Sequence, residues 1–138
     1  MPPTVPSIVA AWFRVGQYTF EDFSTGSDSN SLGVYVIPPK GVIHGLILTP
    51  TEQFAGPLLT SYAIQIGILG DTARYQSPVD LLNTVPGNGV QIVTPPLLDQ
   101  INHVATSALY ITALSQGTLL DEATAGAFYV DVYISVTP

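Results

Sequence analysis

Short alternating segments between closely spaced turn residues constrain the fold of this chain more than any other feature of its sequence. Twelve prolines and twelve glycines interrupt its 138 residues. Most segments between them place apolar side chains at every second position, which is the period of a β-strand. In residues 128–134 one face carries Phe128, Val130, Val132 and Ile134, and the other carries Tyr129, Asp131 and Tyr133. This segment predicts a strand with one face in a core.

The same pattern predicts seven or eight strands in the whole chain. Residues 62–68 and 109–113 alternate clearly, and weaker candidates are residues 17–23, 33–37, 42–49 and 89–94. Two proline-glycine segments, residues 38–41 and 86–89, predict tight turns between strands. One short helix is predicted at Ser77-Pro78-Val79-Asp80, because serine is a good N-cap and proline suits the first helical position.

Many short, half-buried strands with almost no helix predict an all-β fold, an antiparallel two-sheet β-sandwich. Both a jelly roll and an immunoglobulin-like arrangement fit, and we favour the jelly roll. We assign residues 16–138 to this sandwich and residues 1–15 to an extended N-terminal arm. The arm has three prolines and then an apolar run, residues 8–13, that has two interpretations: an edge strand of the sandwich, or a segment whose Trp12 and Phe13 dock onto a neighbouring subunit.

The balance of charges limits the partners of the chain. Charged residues make up 9% of it, against about 25% in an ordinary soluble domain. With so few charges, part of the protein surface must be apolar, and we expect identical copies or a partner to cover that part. The net charge of −7 disfavours nucleic acid and anionic membranes. The beginning of the sequence lacks the features of a secretion signal, and no segment is apolar enough to cross a membrane, so we expect synthesis in a cytoplasm.

Catalytic and metal-binding patterns are missing from the sequence. There is no phosphate-binding glycine loop, no zinc-protease motif, no serine-hydrolase motif and no cysteine. His44 and His103 lie far apart in the sequence, so a cupin-like metal enzyme lacks its cluster of ligands. We therefore predict no catalytic residue, no cofactor and no metal, and we keep a cupin-like enzyme with a metal at His44 or His103 only as a remote alternative.

Aromatic residues at the two ends of the chain are the candidate interaction residues. Tyr129 and Tyr133 share the polar face of the last predicted strand, where they fit a subunit contact, a sugar-binding platform, or packing against the second sheet. Interfaces between proteins are enriched in aromatic residues. The candidate interface residues are Ile8, Trp12, Phe13, Tyr129 and Tyr133.

Several turn and strand segments resemble those of small virion proteins of tailed bacteriophages. The resemblance covers the chain from Gly33 onward and lies in residues 34–45, 54–56, 64–67, 70–71, 75–80, 103–106, 119–126 and 128–134. It implies a jelly-roll head decoration protein, also called a cement protein. Residues 1–15 match no pattern of that family.

This resemblance also implies a function. Proteins of that family bind the outer surface of the phage capsid as homotrimers and stabilise contacts between subunits of the major capsid protein. The expected partners are thus other copies of the chain and the major capsid protein, with the protein made in the host bacterial cytoplasm and carried on the virion. The alternative is a receptor-binding or carbohydrate-binding module of the head or tail, built on the same sandwich.

Overall fold

Strands dominate the computed structural model, which describes residues 9–68, 71–82, 90–92 and 107–136. The strands are β1 (Val9–Thr19), β2 (Ser29–Ile37), β3 (Gly41–Ala55), β4 (Ser61–Ile68), β5 (Asp71–Asp80), β6 (Val90–Ile92), β7 (Ser107–Gln116) and β8 (Ala125–Val136). Two short 3-10 turns occur, at Phe20–Phe23 and Leu120–Glu122. No helix in the described ranges has the length and apolar character needed to cross a membrane.

The strands pair in a nested order. β1 pairs with β8, β2 with β7, β3 with β6 and β4 with β5, each antiparallel. Within the described residues the strands therefore follow the order of one long hairpin, four strands out and four strands back, with successive pairs in alternate sheets. Contacts β3–β8 and β4–β7 complete a first sheet of order β1-β8-β3-β6 and a second of order β2-β7-β4-β5. This confirms the two-sheet antiparallel sandwich, with the strand order of a jelly roll.

Alternating side chains from both sheets fill the space between them. On β8 the predicted inner residues are buried, whereas Tyr129, Asp131 and Tyr133 are half-exposed on the outer side. On the second sheet the fully buried residues include Tyr62, Ile64 and Ile66 of β4 and Leu109, Ile111 and Ala113 of β7. Complete burial of one large apolar side chain contributes roughly 1.5–3 kcal/mol, so this core is the main source of stability.

Aromatic rings concentrate at one end of the core. Phe54 stacks on Tyr62 with ring centroids 4.4 Å apart. The Phe128 centroid lies 6.1 Å from that of Phe54 and 6.0 Å from that of Phe23. Gly126 permits this packing because its φ is +139° and an added Cβ would lie 2.3 Å from a ring carbon of Phe54. The backbone of β8 can therefore pass close to the Phe54 ring.

Two local predictions are wrong because distant strands determine the outcome. Residues 77–80 do not begin a helix; they end β5, where Ala63 pairs with Asp80 and Ile64 with Val79. The Asp80 carboxylate accepts hydrogen bonds from the backbone N–H groups of Tyr62 and Leu82, which fixes the strand end. The predicted strand 17–23 stops at Thr19, where the Thr19 N–H donates to the Asp22 carboxylate (2.8 Å) and a 3-10 turn follows.

The turn predicted at residues 38–41 agrees with the structure, whereas residues 9–15 belong to a strand paired with β8 and not to an arm. A tight turn joins β2 to β3, where the Gly41 N–H donates to the Pro38 carbonyl (3.0 Å) and Lys40 has a φ of +64°. Of the segment that we assigned to an arm, residues 9–15 form the first part of β1, and residues 1–8 lie outside the described residues. The predicted turn at residues 86–89 lies outside the described residues.

Replacing Tyr62 by phenylalanine is expected to stabilise the protein. The Tyr62 hydroxyl is buried and has no hydrogen-bond partner among the described residues, and an unsatisfied buried polar group costs free energy. We expect Tyr62→Phe to raise the free energy of unfolding by about 1 kcal/mol, measured by urea denaturation. Tyr110→Phe is the control, because the Tyr110 side chain is half-exposed on β7 and its change should be near zero. A loss of stability in Tyr62→Phe would mean that the hydroxyl has a partner in solution.

Alkaline pH is expected to destabilise the protein through the same residue. Burial, reinforced by the nearby Asp22 carboxylate, raises the pKa of Tyr62 well above its usual value. The unfolded chain releases this proton near pH 10 while the folded chain keeps it. The free energy of unfolding should therefore fall above about pH 10, by up to about 1.4 kcal/mol per pH unit from this residue. Urea midpoints between about pH 9 and pH 11 test this, and Tyr62→Phe should lose less stability over that interval than the native chain.

Candidate interaction surface

The outer side of the first sheet brings together residues from opposite ends of the chain. The β1–β8 register sets Trp12 opposite Tyr133 and Arg14 opposite Asp131. On the other side of β8, the β3–β8 register sets Gly45 opposite Tyr133 and Ile47 opposite Asp131. We call this surface the aromatic face, defined by six outward side chains: Trp12, Arg14, His44, Tyr129, Asp131 and Tyr133.

Trp12 is the most exposed aromatic residue on this surface. Its side chain is 47% exposed, with its ring centroid 5.3 Å from that of Tyr133 and the two rings tilted by 56°. The indole extends across β8 as far as β3, since a Cβ added to Gly45 would lie 3.5 Å from the Cη2 atom of Trp12. The absence of a side chain at Gly45 lets the indole lie against the sheet, with its other side open to solvent.

Arg14 forms the charged part of the aromatic face. Its Nε–H donates to Oδ1 of Asp131 at 3.1 Å, and its guanidinium carbon lies 3.7 Å from the ring centroid of Tyr129. This hydrogen bond, with the charge of Asp131, raises the pKa of Arg14 above its usual value, so the guanidinium stays charged. The two opposite formal charges cancel each other, and the face carries no net charge from these six residues.

His44 occupies the third strand of the face. A bulge between Ile43 and Gly45 turns its side chain outward. Its Nε2 is 2.6 Å from Oγ of Ser135, and its ring meets the edge of Tyr133 at a centroid distance of 5.7 Å. Tyr133 thus contacts both Trp12 and His44.

Clusters of metal-binding side chains are absent from the described part of the chain. Within those residues no group of three or more histidine, aspartate or glutamate side chains could hold an ion. His103, the second histidine of the remote enzyme alternative, lies outside the described residues.

The structure brings three of the five candidate interface residues together. Trp12, Tyr129 and Tyr133 all lie on the aromatic face. Phe13 points to the other side of β1, where its ring is 5.0 Å from that of Tyr35 at the margin of the core. Ile8 lies outside the described residues. The candidate list omitted Arg14, His44 and Asp131, although the two-residue spacing already placed Asp131 on the face of Tyr129 and Tyr133 and gave a signal for Arg14 after Trp12.

A second group of exposed residues lies at one end of the sandwich, where the β1–β2, β3–β4 and β7–β8 connections meet. Backbone hydrogen bonds from Leu120 to Ser27 (2.9 Å) and from Thr124 to Ala55 (2.8 Å) hold these loops together. Leu58 and Leu119 are exposed there, by 64% and 43%. We call this region the acidic end, because it also carries the carboxylates of Glu21, Asp22, Asp28, Glu52, Asp80, Asp121 and Glu122.

Comparison with solved structures finds one whole-chain likeness. The fold matches a chain from the structure of the cyanophage Pam1 capsid asymmetric unit. The TM-score is 0.63 at 14% sequence identity, and the match covers 99% of this chain and 91% of the other. No protein-family model matches the sequence, and no curated protein shows significant sequence similarity to it.

This likeness concerns the fold. At 14% identity most side chains differ, so the matched chain gives no direct information on the aromatic face. Coverage of both chains along nearly their whole length means that the complete sandwich is shared.

Proposed function

We propose that this chain is a structural protein of a bacteriophage virion, a decoration or cement protein that binds the outside of the head as a trimer and stabilises contacts between major capsid subunits. The observation that carries the proposal is the match of the complete sandwich to a chain of a phage capsid asymmetric unit. The strand and turn segments that resemble phage decoration proteins support the same role.

The surface of the chain suits a binding protein. Large apolar side chains remain exposed at separate places, with Leu58 at 64%, Leu119 at 43% and Trp12 at 47%. A protein with 9% charged residues that shows such side chains is suited to being covered by partners. The proposed role is therefore attachment without catalysis, cofactor or metal.

The net charge of −7 supports a position away from packaged DNA. Phosphate backbones repel an acidic protein, so contact with protein subunits on the outer surface of the shell is the favoured arrangement. Several weak contacts from one trimer then combine into firm attachment, because each later contact forms within an already bound complex. In this proposal the protein is made in the host cytoplasm and joins the virion there.

The experiment uses the phage whose genome encodes this chain. Virions with and without the gene are purified, and the deletion heads are then incubated with increasing amounts of the purified protein. We expect saturable binding to heads, a number of bound copies that is a multiple of three, and a higher temperature of DNA release after binding. Heads and tails are separated before analysis, so that attachment to each is measured independently. Absence of the protein from native virions, or attachment to tails alone, would refute the proposal.

A carbohydrate-binding module of the virion is the second candidate function. The exposed indole of Trp12 beside Tyr133 is the observation that favours it, since a flat aromatic surface can stack against a sugar ring. Isothermal titration calorimetry with host surface polysaccharide tests this candidate, because its signal does not depend on Trp12. Saturable binding that Trp12→Ala removes, together with no binding to heads, would establish it in place of the cement role.

A further inference from the structure

We infer that the aromatic face is a surface of contact between copies of this chain, and that Trp12 is its central anchor. The inference deepens the proposed function, on which it rests for the number of copies. Trp12 is held against Tyr133 on its inner side while its outer side is open. Tryptophan, tyrosine and arginine dominate the energetics of protein interfaces, and all three occur here on neighbouring positions of one sheet.

The distribution of charge identifies a second copy as the occupant. Two chains with a net charge of −7 repel each other at most orientations. The carboxylates of the acidic end lie in the connections and at the strand ends at the tip of the sandwich, apart from the strand positions of Trp12 and Tyr133. On the aromatic face the charges of Arg14 and Asp131 form an internal pair at 3.1 Å. Two copies can therefore approach through this face without net repulsion, whereas a basic partner would be attracted to the acidic end instead.

The face is also held in shape before any contact forms. β8 pairs with β1 along one edge and with β3 along the other, from Val136 back to Ala127 on both sides. Tyr133 is fixed between Trp12 and His44, and the Arg14 guanidinium is fixed on Tyr129 and Asp131. Little side-chain entropy remains to be lost on association, which favours binding.

In a ring of three copies each copy contacts two neighbours through two different surface patches, one for each neighbour. The aromatic face provides them: a β1 half with Trp12 and Arg14, and a β3 half with His44 and Ile47. Where three such faces converge on an axis, the β1 half of one copy contacts the β3 half of the next.

The chain contains its own probe for this contact, because Trp12 is its one tryptophan. Light scattering gives the mass over a dilution series of the purified protein, while fluorescence gives the Trp12 emission maximum and its quenching by acrylamide. We expect the mass to rise from one copy to three, and the emission to shift to shorter wavelength with weaker quenching over the same concentrations. A rise in mass without a change at Trp12 would place the contact elsewhere and overturn the inference.

Variants test the contact by a second route. We expect Trp12→Ala to weaken association about 30-fold or more, as for a central interface residue. Val36→Ala is the matched control, since Val36 is 61% exposed on the other sheet and its removal should leave association unchanged. Arg14→Asp places uncompensated negative charge on the face and should also dissociate the copies. The exchanged pair Arg14→Asp with Asp131→Arg restores neutrality and should recover much of the association. Urea denaturation of each variant verifies that the fold is retained.

Failure of this inference is distinguishable from failure of the proposed function. A trimer whose Trp12 becomes buried on association, but which does not bind heads, keeps the inference and removes the cement role. A protein that binds heads as a monomer, with Trp12 emission changing only when heads are added, makes the aromatic face the shell contact and overturns the inference.

Discussion

Phe128→Ala is expected to lower the free energy of unfolding by about 3–5 kcal/mol, the usual cost of removing a buried phenyl ring. Phe128 is 1% exposed, and its ring centroid lies within 6.1 Å of those of Tyr18, Phe23 and Phe54. The cavity cannot close easily, because the neighbouring rings come from different strands and connections. Urea denaturation followed by circular dichroism measures the loss.

Leu119→Ala is the control for this prediction, because Leu119 is 43% exposed and its truncation should change stability by less than about 0.5 kcal/mol. A domain of this kind is stable by about 5–15 kcal/mol, so Phe128→Ala could unfold a large fraction of the chain. Phe128→Leu, a smaller change, keeps the prediction measurable in that case. A loss below about 1 kcal/mol in Phe128→Ala would contradict the central position of this ring in the core.

Trp12→Ala is expected to reduce the apparent affinity for heads by about 100-fold or more. If copies associate through the aromatic face, the variant is monomeric, and a single attachment replaces three linked ones. Linked attachments increase apparent affinity by about 10² to 10⁴ without any new contact. The measurement is cosedimentation with deletion heads at several concentrations of the variant and of the native chain.

Val36→Ala serves again as the control, with unchanged binding expected. Fusion of the Trp12→Ala chain to an unrelated trimeric domain provides a further comparison, since it restores three linked copies without the aromatic face. Recovery of binding by the fusion would assign the effect to linkage between copies. Equal affinity of the native chain and of the monomeric variant would show that attachment needs one copy only.

Most of the strands could be predicted from the sequence, because alternation along a strand is a local property. Residues 128–134 show this best: the buried and half-exposed positions of β8 agree with the pattern at each predicted residue. The end of β5 could not be predicted in this way. Ser77-Pro78 is a good local helix start, but pairing of Val79 and Asp80 with β4 outweighs that preference.

The candidate surface could be predicted only in part. Tyr133 was identifiable as an aromatic residue on a predicted strand, and Trp12 as one on a segment for which a strand was one of two interpretations. Their contact depends on the pairing of β1 with β8, and the Arg14–Asp131 pair joins residues 117 positions apart. His44 faces outward because of a bulge, and Phe13 faces inward because of the β1 register. Such registers follow from the complete sheet, so the pattern within one segment cannot reveal them.

The nested order of the strands has a consequence for the timing of assembly. The β4–β5 pair closes a short loop, whereas Val9 pairs with Val136 across almost the entire chain. Closing longer loops costs more entropy, and contacts between distant residues slow folding. We therefore expect the β1–β8 seam to form late in folding. Because that seam creates the aromatic face, an incompletely folded or nascent chain does not present it, and copies associate only after each has finished folding.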